Sequence, residues 1–313
     1  MADKIATRES YGNALAELGD KYDFVVLDAD LAAATKTGTF KKKFPERFFD
    51  CGIAEGNMMS VAAGIAAAGK TVFASSFAMF AAGRAYDQVR NSISYPHLNV
   101  KIGATHAGIT VGEDGATHQC IEDIALMRAI PGMTIINPAD DTEAKAAVEA
   151  AINFNGPVYL RFGRLAVPVI NDKATYKFEI GKGVNMAKGT DVTIVATGIM
   201  VAMALDAAKL LANEGISARV INIATIKPLD KEIIIDAARS TGAIVTAEEH
   251  NVIGGLGAAV TEAVCEACPV PVMRVGIEDS FGRSGKVPPL LEMYGLTPEN
   301  IVAKAKAAIA LKK

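Results

Sequence analysis

The sequence predicts an α/β protein of two domains, each a mostly parallel sheet with helices on both faces. Short apolar runs of strand type alternate with longer runs of helix type along the 313 residues, which is the pattern of repeated βα units. The alternation stops over 165–188, where turn-forming residues replace periodic ones. We therefore predict a first domain at 1–168, a linker at 169–188 and a second domain at 189–313.

The predicted strands are short and apolar, without polar alternation, as strands buried on both faces are. In the first domain we predict strands at 24–27, 48–50, 71–74, 100–104, 134–136 and 158–160, and helices at 7–19, 58–68, 77–92, 121–128 and 141–152. In the second domain we predict strands at 192–196, 218–222, 243–247 and 272–275, and helices at 201–213, 231–239, 256–266 and 299–310.

The composition excludes several classes of protein. A net charge of −3 and an isoelectric point near 5.9 argue against nucleic acid or a membrane surface as the main partner. Four cysteines without a disulfide spacing pattern predict reduced thiols. The polar N-terminus and the lack of a long uninterrupted apolar run predict neither a signal peptide nor a membrane span, so we expect a cytoplasmic protein.

Glu55 is a lone carboxylate between a strand-type run and a helix-type run. An acid at such a junction of an α/β protein usually points into the crevice that binds ligands. Burial would raise the pKa of Glu55, and a neutral carboxyl can donate a hydrogen bond to a ring nitrogen. On this segment alone, the competing interpretation is an acid at a helix N-terminus that faces solvent.

The segment around His106 and His118, two of the four histidines, has the composition of a ligand-binding loop. Asp114 and three glycines lie in the same segment, which follows a predicted strand. Upstream, Phe77 and Phe80 stand three residues apart on one helical face. Such a pair is either an ordinary core stripe or an aromatic platform for a flat ring.

These features occur together in one family. The chain closely resembles transketolase over essentially its whole length, from the pyrimidine-binding domain of that enzyme to its C-terminus. The motifs that carry the resemblance, in chain order, are Ile53-Ala54-Glu55, Ser76-Phe77-x-x-Phe80, Gly112-Glu113-Asp114-Gly115-x-x-His118-Gln119, Phe162-Gly163-Arg164, Ile226-Lys227-Pro228-Leu229-Asp230 and Arg283-Ser284-Gly285-Lys286. Their shared order makes the match specific, which no single motif would be.

The resemblance implies an enzyme that uses thiamine diphosphate. Glu55 matches the catalytic glutamate that hydrogen-bonds N1′ of the cofactor's aminopyrimidine. Phe77 and Phe80 match the aromatic residues that flank this ring. The family often has a further aromatic where this chain has Gly83, so one wall of the ring slot is expected to be open or filled by another residue.

The resemblance also implies the substrate contacts and the reaction. Asp114 and His118 match residues that read the hydroxyls of the donor sugar, and His118 is counted with Glu55 as catalytic. His106 and Arg164 match residues at the mouth of the site that bind the sugar phosphate, for which an arginine fork is well suited. The implied reaction moves a two-carbon ketol unit from a ketose phosphate to an aldose phosphate, with pentose-phosphate sugars as the default.

One motif of such enzymes is absent. They hold the diphosphate and Mg²⁺ with Gly-Asp-Gly and a downstream Asn, and no Gly-Asp-Gly occurs in this sequence. We therefore expect no metal ligands in this chain and a partner chain that supplies the diphosphate and Mg²⁺ half of the site. We also expect two copies to associate through the pyrimidine-binding domain, which would give a heterotetramer with two partner chains.

Three alternatives stay open. 1-Deoxyxylulose-5-phosphate synthase shares several of these runs, but His106 and the Gly-Glu-Asp-Gly spacing favour transketolase. The β subunits of 2-oxoacid dehydrogenases have this size but lack the Glu-Asp-Gly-x-x-His-Gln loop. A non-catalytic regulatory chain of the same fold is disfavoured because the polar residues assigned to the cofactor and the sugar are intact.

Two motifs of the second domain have simpler interpretations. Glu248-Glu249-His250 ends a predicted strand and is either a hydrogen-bonded structural cluster or an effector site. Gly254-Gly255-x-Gly257 precedes a helix. It favours close helix packing, because the downstream acid of a nucleotide-binding fingerprint is missing.

Overall fold

Two mostly parallel sheets, of seven and five strands, form the framework of the chain in this computed structural model. The structure describes residues 3–312, so the first two residues of the predicted first domain and the last residue of the second lie outside it. Helices pack on both faces of each sheet, and the predicted α/β fold class is confirmed.

The strands, in chain order, are β1 (Lys4–Ala6), β2 (Phe24–Asp28), β3 (Phe48–Asp50), β4 (Thr71–Phe77), β5 (Val100–Thr105), β6 (Thr134–Ile136), β7 (Val158–Arg161), β8 (Ala166–Pro168), β9 (Val184–Ala187), β10 (Val192–Ala196), β11 (Ala218–Asn222), β12 (Thr225–Lys227), β13 (Ile244–Asn251) and β14 (Val272–Ile277).

The α-helices, in the same order, are α1 (Thr7–Leu18), α2 (Ala32–Thr35), α3 (Gly38–Lys43), α4 (Glu55–Ala67), α5 (Tyr86–Gln88), α6 (Asp123–Arg128), α7 (Asp141–Asn153), α8 (Met200–Asn213), α9 (Lys231–Thr241), α10 (Leu256–Ala267), α11 (Val287–Met293) and α12 (Pro298–Ala310). Within residues 3–312, no helix has the length and apolar character that a membrane span requires.

The first sheet has the strand order β12-β6-β7-β5-β4-β2-β3, and its strands from β6 to β3 all run parallel. Side chains alternate between its two faces. On β4, Val72 packs against α4, whereas Phe73 packs into the cluster that holds α1 and α7. Because β2 to β7 run parallel, the C-termini of these six strands meet at one edge, where α/β proteins place their ligands.

The second sheet has the order β14-β13-β10-β11-β9. Strand β9 runs antiparallel to β11, and it lies inside the segment 169–188 that the sequence predicts as linker. The backbone of this segment therefore forms an edge strand before β10 starts the parallel series.

Strand β12 joins the two halves of the chain in a way that the sequence does not predict. It follows β11 of the second sheet but pairs antiparallel with β6, so that it forms the edge of the first sheet. At the end of β12, Lys227 Nζ donates to the carbonyl oxygens of Arg128 and Ile130 at 2.8 and 2.6 Å. A three-residue strand carries too short a pattern to be recognised from sequence.

The predicted helix at 77–92 is wrong at its start and in its regularity. Strand β4 continues to Phe77, because Ser75 can stay buried in the sheet by bonding the Tyr11 hydroxyl at 2.7 Å. The helical part then consists of two π-helical turns, Met79–Arg84 and Val89–Ser94, on either side of α5. Such wide turns occur often at functional sites.

A buried ion pair connects β7, α6 and the second sheet. Arg161 Nε donates to Asp123 Oδ2 at 2.8 Å, and the Tyr159 hydroxyl donates to the same oxygen at 2.8 Å. Arg161 Nη2 also donates to the carbonyl oxygen of Glu249, on β13, at 3.0 Å. Burial would raise the pKa of Asp123, but the Arg161 guanidinium outweighs it and holds that pKa below its ordinary value.

Breaking this pair should destabilise the chain strongly. Asp123→Asn leaves the Arg161 guanidinium buried without its counter-ion, which typically costs about 3–5 kcal/mol of unfolding free energy. Since the pKa of Asp123 is lowered on folding, its contribution is present above the ordinary carboxyl pKa and is lost as pH falls. Urea unfolding at neutral and acidic pH measures both effects.

The matched control is Asp206→Asn, which removes an exposed pair with Lys209 and should cost less than about 1 kcal/mol. Equal losses of unfolding free energy in the two variants would contradict the conclusion that the buried Asp123–Arg161 pair stabilises the fold.

Candidate active site

The C-terminal edge of the first sheet gathers all the residues that the sequence predicts for the site. Phe77 ends β4, His106 follows β5 directly and Arg164 follows β7. Glu55 starts α4, shortly after β3. Parallel strands that end at a common edge bring these distant positions into one crevice.

Glu55 is only 2% exposed, so the alternative of a solvent-facing acid does not fit. It is not alone, however. Arg84 Nη1 donates to its two carboxylate oxygens at 3.2 and 3.1 Å. The sequence predicts the position of Glu55 at the crevice but not this counter-ion, which a buried carboxylate generally requires.

The two predicted aromatic residues form a stacked pair. The rings of Phe77 and Phe80 lie 5.9 Å apart at 15° to each other. Phe77 is buried and its ring stacks on His106 at 3.8 Å, whereas the partly exposed Phe80 has the Arg84 guanidinium 4.4 Å from its ring centre. The less buried face of this pair therefore lies on the Phe80 side, where Arg84 covers the ring and also binds Glu55.

Met79 fills the space beside Gly83. A side chain at position 83 would begin 2.5 Å from Met79 Cε. The wall that an aromatic residue would provide is thus replaced by the end of a flexible thioether side chain, and Arg84 covers the adjacent ring.

His106 is a buried, neutral imidazole among cations. Arg8 Nη1 lies 2.8 Å from its Nε2, and because a guanidinium can only donate, Nδ1 carries the proton and donates to Thr105 Oγ1 at 3.0 Å. Burial, followed by the charges of Arg8 and Arg164, lowers the pKa of His106 to about 3. Lys36 adds a further positive charge on the same side.

Three cations therefore surround His106, and two of them were not found from the sequence. Arg8 and Lys36 lie on the first turn of α1 and just after α2, in segments without a distinctive motif. Among the described residues, Arg8 Nε is buried with no hydrogen-bond partner. An orphaned guanidinium N–H amid an excess of positive charge fits an anionic ligand, above all a phosphate.

Asp114 and His118 line the outer part of the crevice. Asp114 is exposed and lies 3.7 Å from Arg164 Nη1, which also donates to the carbonyl oxygen of Val111. His118 is half-buried, and its ring stands edge-on to Phe80 at 5.4 Å. The two residues thus present a carboxylate and an imidazole between the aromatic pair and the cations.

Comparisons with known proteins identify the family of the chain. A family model for the transketolase pyrimidine-binding domain matches residues 3–169, and a model for the transketolase C-terminal domain matches residues 181–301. The chain belongs to the transketolase family. It corresponds to the C-terminal section of that enzyme, so the resemblance inferred from the motifs and the prediction of a transketolase subunit are confirmed.

Three relatives match along nearly their whole length. A solved split-gene transketolase, described as an inactive β4 tetramer, has 55% identity and a TM-score of 0.93, with 99% of this chain and 100% of that chain covered. A 6-deoxy-6-sulfo-D-fructose transketolase subunit of Clostridium sp. is 47% identical, with 95% of this chain and 92% of the relative covered. One of the subunits of an apulose-4-phosphate transketolase from Phocaeicola vulgatus is 40% identical, with 96% of each chain covered.

His106 should remain neutral in the isolated chain over the usual working range of about pH 5 to 8. Its pKa is about 3 when folded and 6.5 ordinarily, so only the unfolded chain takes up this proton, and stability should fall as pH drops from 6.5 towards 3. Histidine-labelled NMR measures this, with His106→Gln to assign the resonance.

Arg8→Met should raise the pKa of His106, because it removes one neighbouring cation. A wild-type His106 that titrates near its ordinary value, or an Arg8→Met variant without a shift, would contradict the cation cluster.

Proposed function

We propose that this chain is the pyrimidine-binding subunit of a two-chain transketolase that moves a two-carbon ketol unit from a ketose phosphate to an aldose phosphate. The observation that supports it best is a continuous chain of contacts, through Arg84 and Phe77, from buried Glu55 past the Phe80 ring to His106 and its cations. A carboxylate with an aromatic face suits a nitrogen heterocycle, and the cations suit a phosphorylated sugar.

Membership of the transketolase family implies thiamine diphosphate and Mg²⁺ as cofactors. The donor set near Glu55 fits the aminopyrimidine end: Glu55 would hold N1′, and Phe77 and Phe80 would flank the ring. Bound there, the cofactor supplies the nucleophilic carbon that accepts the ketol unit. Within residues 3–312, no group of three or more histidine, cysteine or acidic side chains is placed to hold a metal.

We assign the diphosphate and Mg²⁺ to a partner chain that carries Gly-Asp-Gly and a downstream Asn, because this sequence has no Gly-Asp-Gly. For Glu55 to serve N1′, Arg84 has to give up at least one of the two carboxylate oxygens that it now binds. Arg84 is exposed and can do so, since its side chain ends in solvent beside Phe80 rather than in the core.

The substrates are assigned from the charges. Arg8, Arg164 and His106 would bind the terminal phosphate, with Lys36 contributing charge. Asp114 and His118 would hold donor hydroxyls, and His118 can exchange a proton with one of them. The Clostridium and Phocaeicola relatives are described for a sulfo-sugar and a sugar phosphate, so the sugar and its anionic group both differ between them, while each substrate carries an anionic group. Pentose-phosphate sugars, and thus the pentose phosphate pathway, are our default.

We propose the domain boundaries 1–168, 169–188 and 189–313 for this subunit, a cytoplasmic location and an assembly of two copies with two partner chains. The self-assembly of a 55%-identical chain into a tetramer described as inactive supports an enzyme that needs a second kind of subunit. The homodimer contact would be made by the pyrimidine-binding domain.

The chain alone should show no ketol transfer with thiamine diphosphate and Mg²⁺, because the ligands for the diphosphate are missing. Adding the partner chain should restore turnover, measured by coupled assay with a panel of ketose donors. Robust transfer by this chain alone, or none by the mixture with any donor, would contradict the proposal.

Glu55→Ala should reduce kcat of the reconstituted enzyme by about 10²–10⁴-fold, because a positioned proton-handling group is lost. Glu55→Gln is the matched variant and should retain part of the activity, since an amide still donates to N1′. Circular dichroism of each variant checks that the fold survives. Near-normal kcat in Glu55→Ala would remove Glu55 from the catalytic role.

Arg164→Ala should raise KM for a sugar phosphate roughly 10–100-fold, since a hydrogen bond to a charged group is worth about 1.5–3 kcal/mol. KM for an unphosphorylated donor should change little. Arg283→Ala, which removes an exposed guanidinium with only a weak contact to Met293 sulfur, is the control. A parallel change for both donors would take Arg164 out of the phosphate site.

A further inference from the structure

The loop that carries Asp114 and His118 forms hydrogen bonds with residues outside its own domain. We call residues 106–119 the donor loop. Gln119 Nε2 donates to the carbonyl oxygen of Arg283 at 3.0 Å, and Ser284 Oγ donates to that of Glu113 at 2.6 Å. Both partners belong to the segment between β14 and α11 in the C-terminal half of the chain.

The most buried of these contacts is made by Glu249, on β13 of the second sheet. This residue is 3% exposed, and its Oε1 accepts a hydrogen bond from the Thr110 backbone N–H at 2.7 Å. The carboxyl can come this close because Gly108 has no side chain: a Cβ there would lie 2.2 Å from Glu249 Cδ. Gly108 also has a φ of 80°, which disfavours any larger residue.

Opposing effects act on the pKa of Glu249. Burial raises its pKa to about 7, Arg161 on β7 and the Thr110 N–H act in the opposite direction, and Asp123 on α6 adds to the rise. Its strand neighbours face other partners: Glu248 turns to α10, and His250 Nε2 accepts from the Ala125 N–H. A hydrogen bond to an ionised carboxylate is stronger than one to a neutral carboxyl.

We propose that Glu249 is a positioning residue for the donor loop, through which the C-terminal domain controls how firmly Asp114 and His118 hold the donor sugar. Glu249 does not reach the sugar itself. It fixes the Thr110 N–H in the first of two short 3₁₀ turns within Ile109–Asp114; the turns meet at a kink at Gly112, and Asp114 ends the second. The activity part of this inference rests on the proposed function.

The neighbouring Glu248 provides a matched control. It is equally buried, but its carboxylate oxygens accept from the N–H groups of Leu256 and Gly257, at the start of α10 in its own domain. Glu248→Gln should therefore lower thermal stability without changing the ratio of the KM values for different donors.

The first measurement is hydrogen exchange in this chain alone, which does not depend on activity. In Glu249→Leu the Thr110 amide should exchange about tenfold faster, together with its neighbours in the donor loop, because its acceptor is gone. Glu249→Gln keeps an accepting oxygen and should preserve most of the protection, and Glu248→Gln should leave this amide unchanged. Unaltered Thr110 exchange in Glu249→Leu would overturn the proposal.

The second measurement is KM in the enzyme reconstituted with its partner chain. Glu249→Leu should raise KM for a polyhydroxylated ketose phosphate about tenfold and that for hydroxypyruvate far less, with kcat changed little. In the wild type, KM for the ketose phosphate divided by KM for hydroxypyruvate should fall as pH rises through about 7, where Glu249 ionises. This change with pH should be absent in Glu249→Gln.

Equal losses for both donors, or the same pH step in Glu249→Gln, would show a merely structural role. If the wild-type mixture turns over no donor at all, the proposed function fails, and the exchange experiment still decides whether Glu249 holds the loop.

Discussion

The buried guanidinium of Arg161 is the interaction on which the arrangement of the site depends. It lies at the end of β7 and donates to Asp123 at the start of α6, to the carbonyl oxygen of Cys120 directly after the donor loop and to that of Glu249 on β13. One side chain therefore fixes a strand, a helix, a loop and the second sheet. Because it is buried, each of these acceptors has to stay in place.

The two charged regions of the site differ in how well their charges are balanced. Around Glu55 the charge is balanced by Arg84. Around His106 it is not balanced, since Arg8, Arg164 and Lys36 outnumber the nearby acids and one guanidinium N–H has no acceptor. Under the proposed function, the cofactor would replace Arg84 at Glu55, and the anion of the substrate would bind among the cations around His106.

Sequence patterns located the fold class and the motif residues well, because strand-end positions such as His106 and Arg164 follow apolar runs that are easily recognised. They missed Arg84, Arg8 and β12 for a common reason. Each acquires its role from a partner distant in the chain: Arg84 from Glu55, Arg8 from His106 and β12 from β6. For Glu55, burial was predicted from the sequence, whereas its counter-ion Arg84 was not.

The central claim is that this chain holds only half of a cofactor site. Calorimetric titration of thiamine diphosphate, with Mg²⁺ in excess, into this chain alone, the partner chain alone and their equimolar mixture tests it most directly. We predict tight, saturable binding only in the mixture, with one cofactor per pair of chains and weaker binding when this chain carries Glu55→Ala. Binding to this chain alone with the affinity of the mixture would contradict the claim.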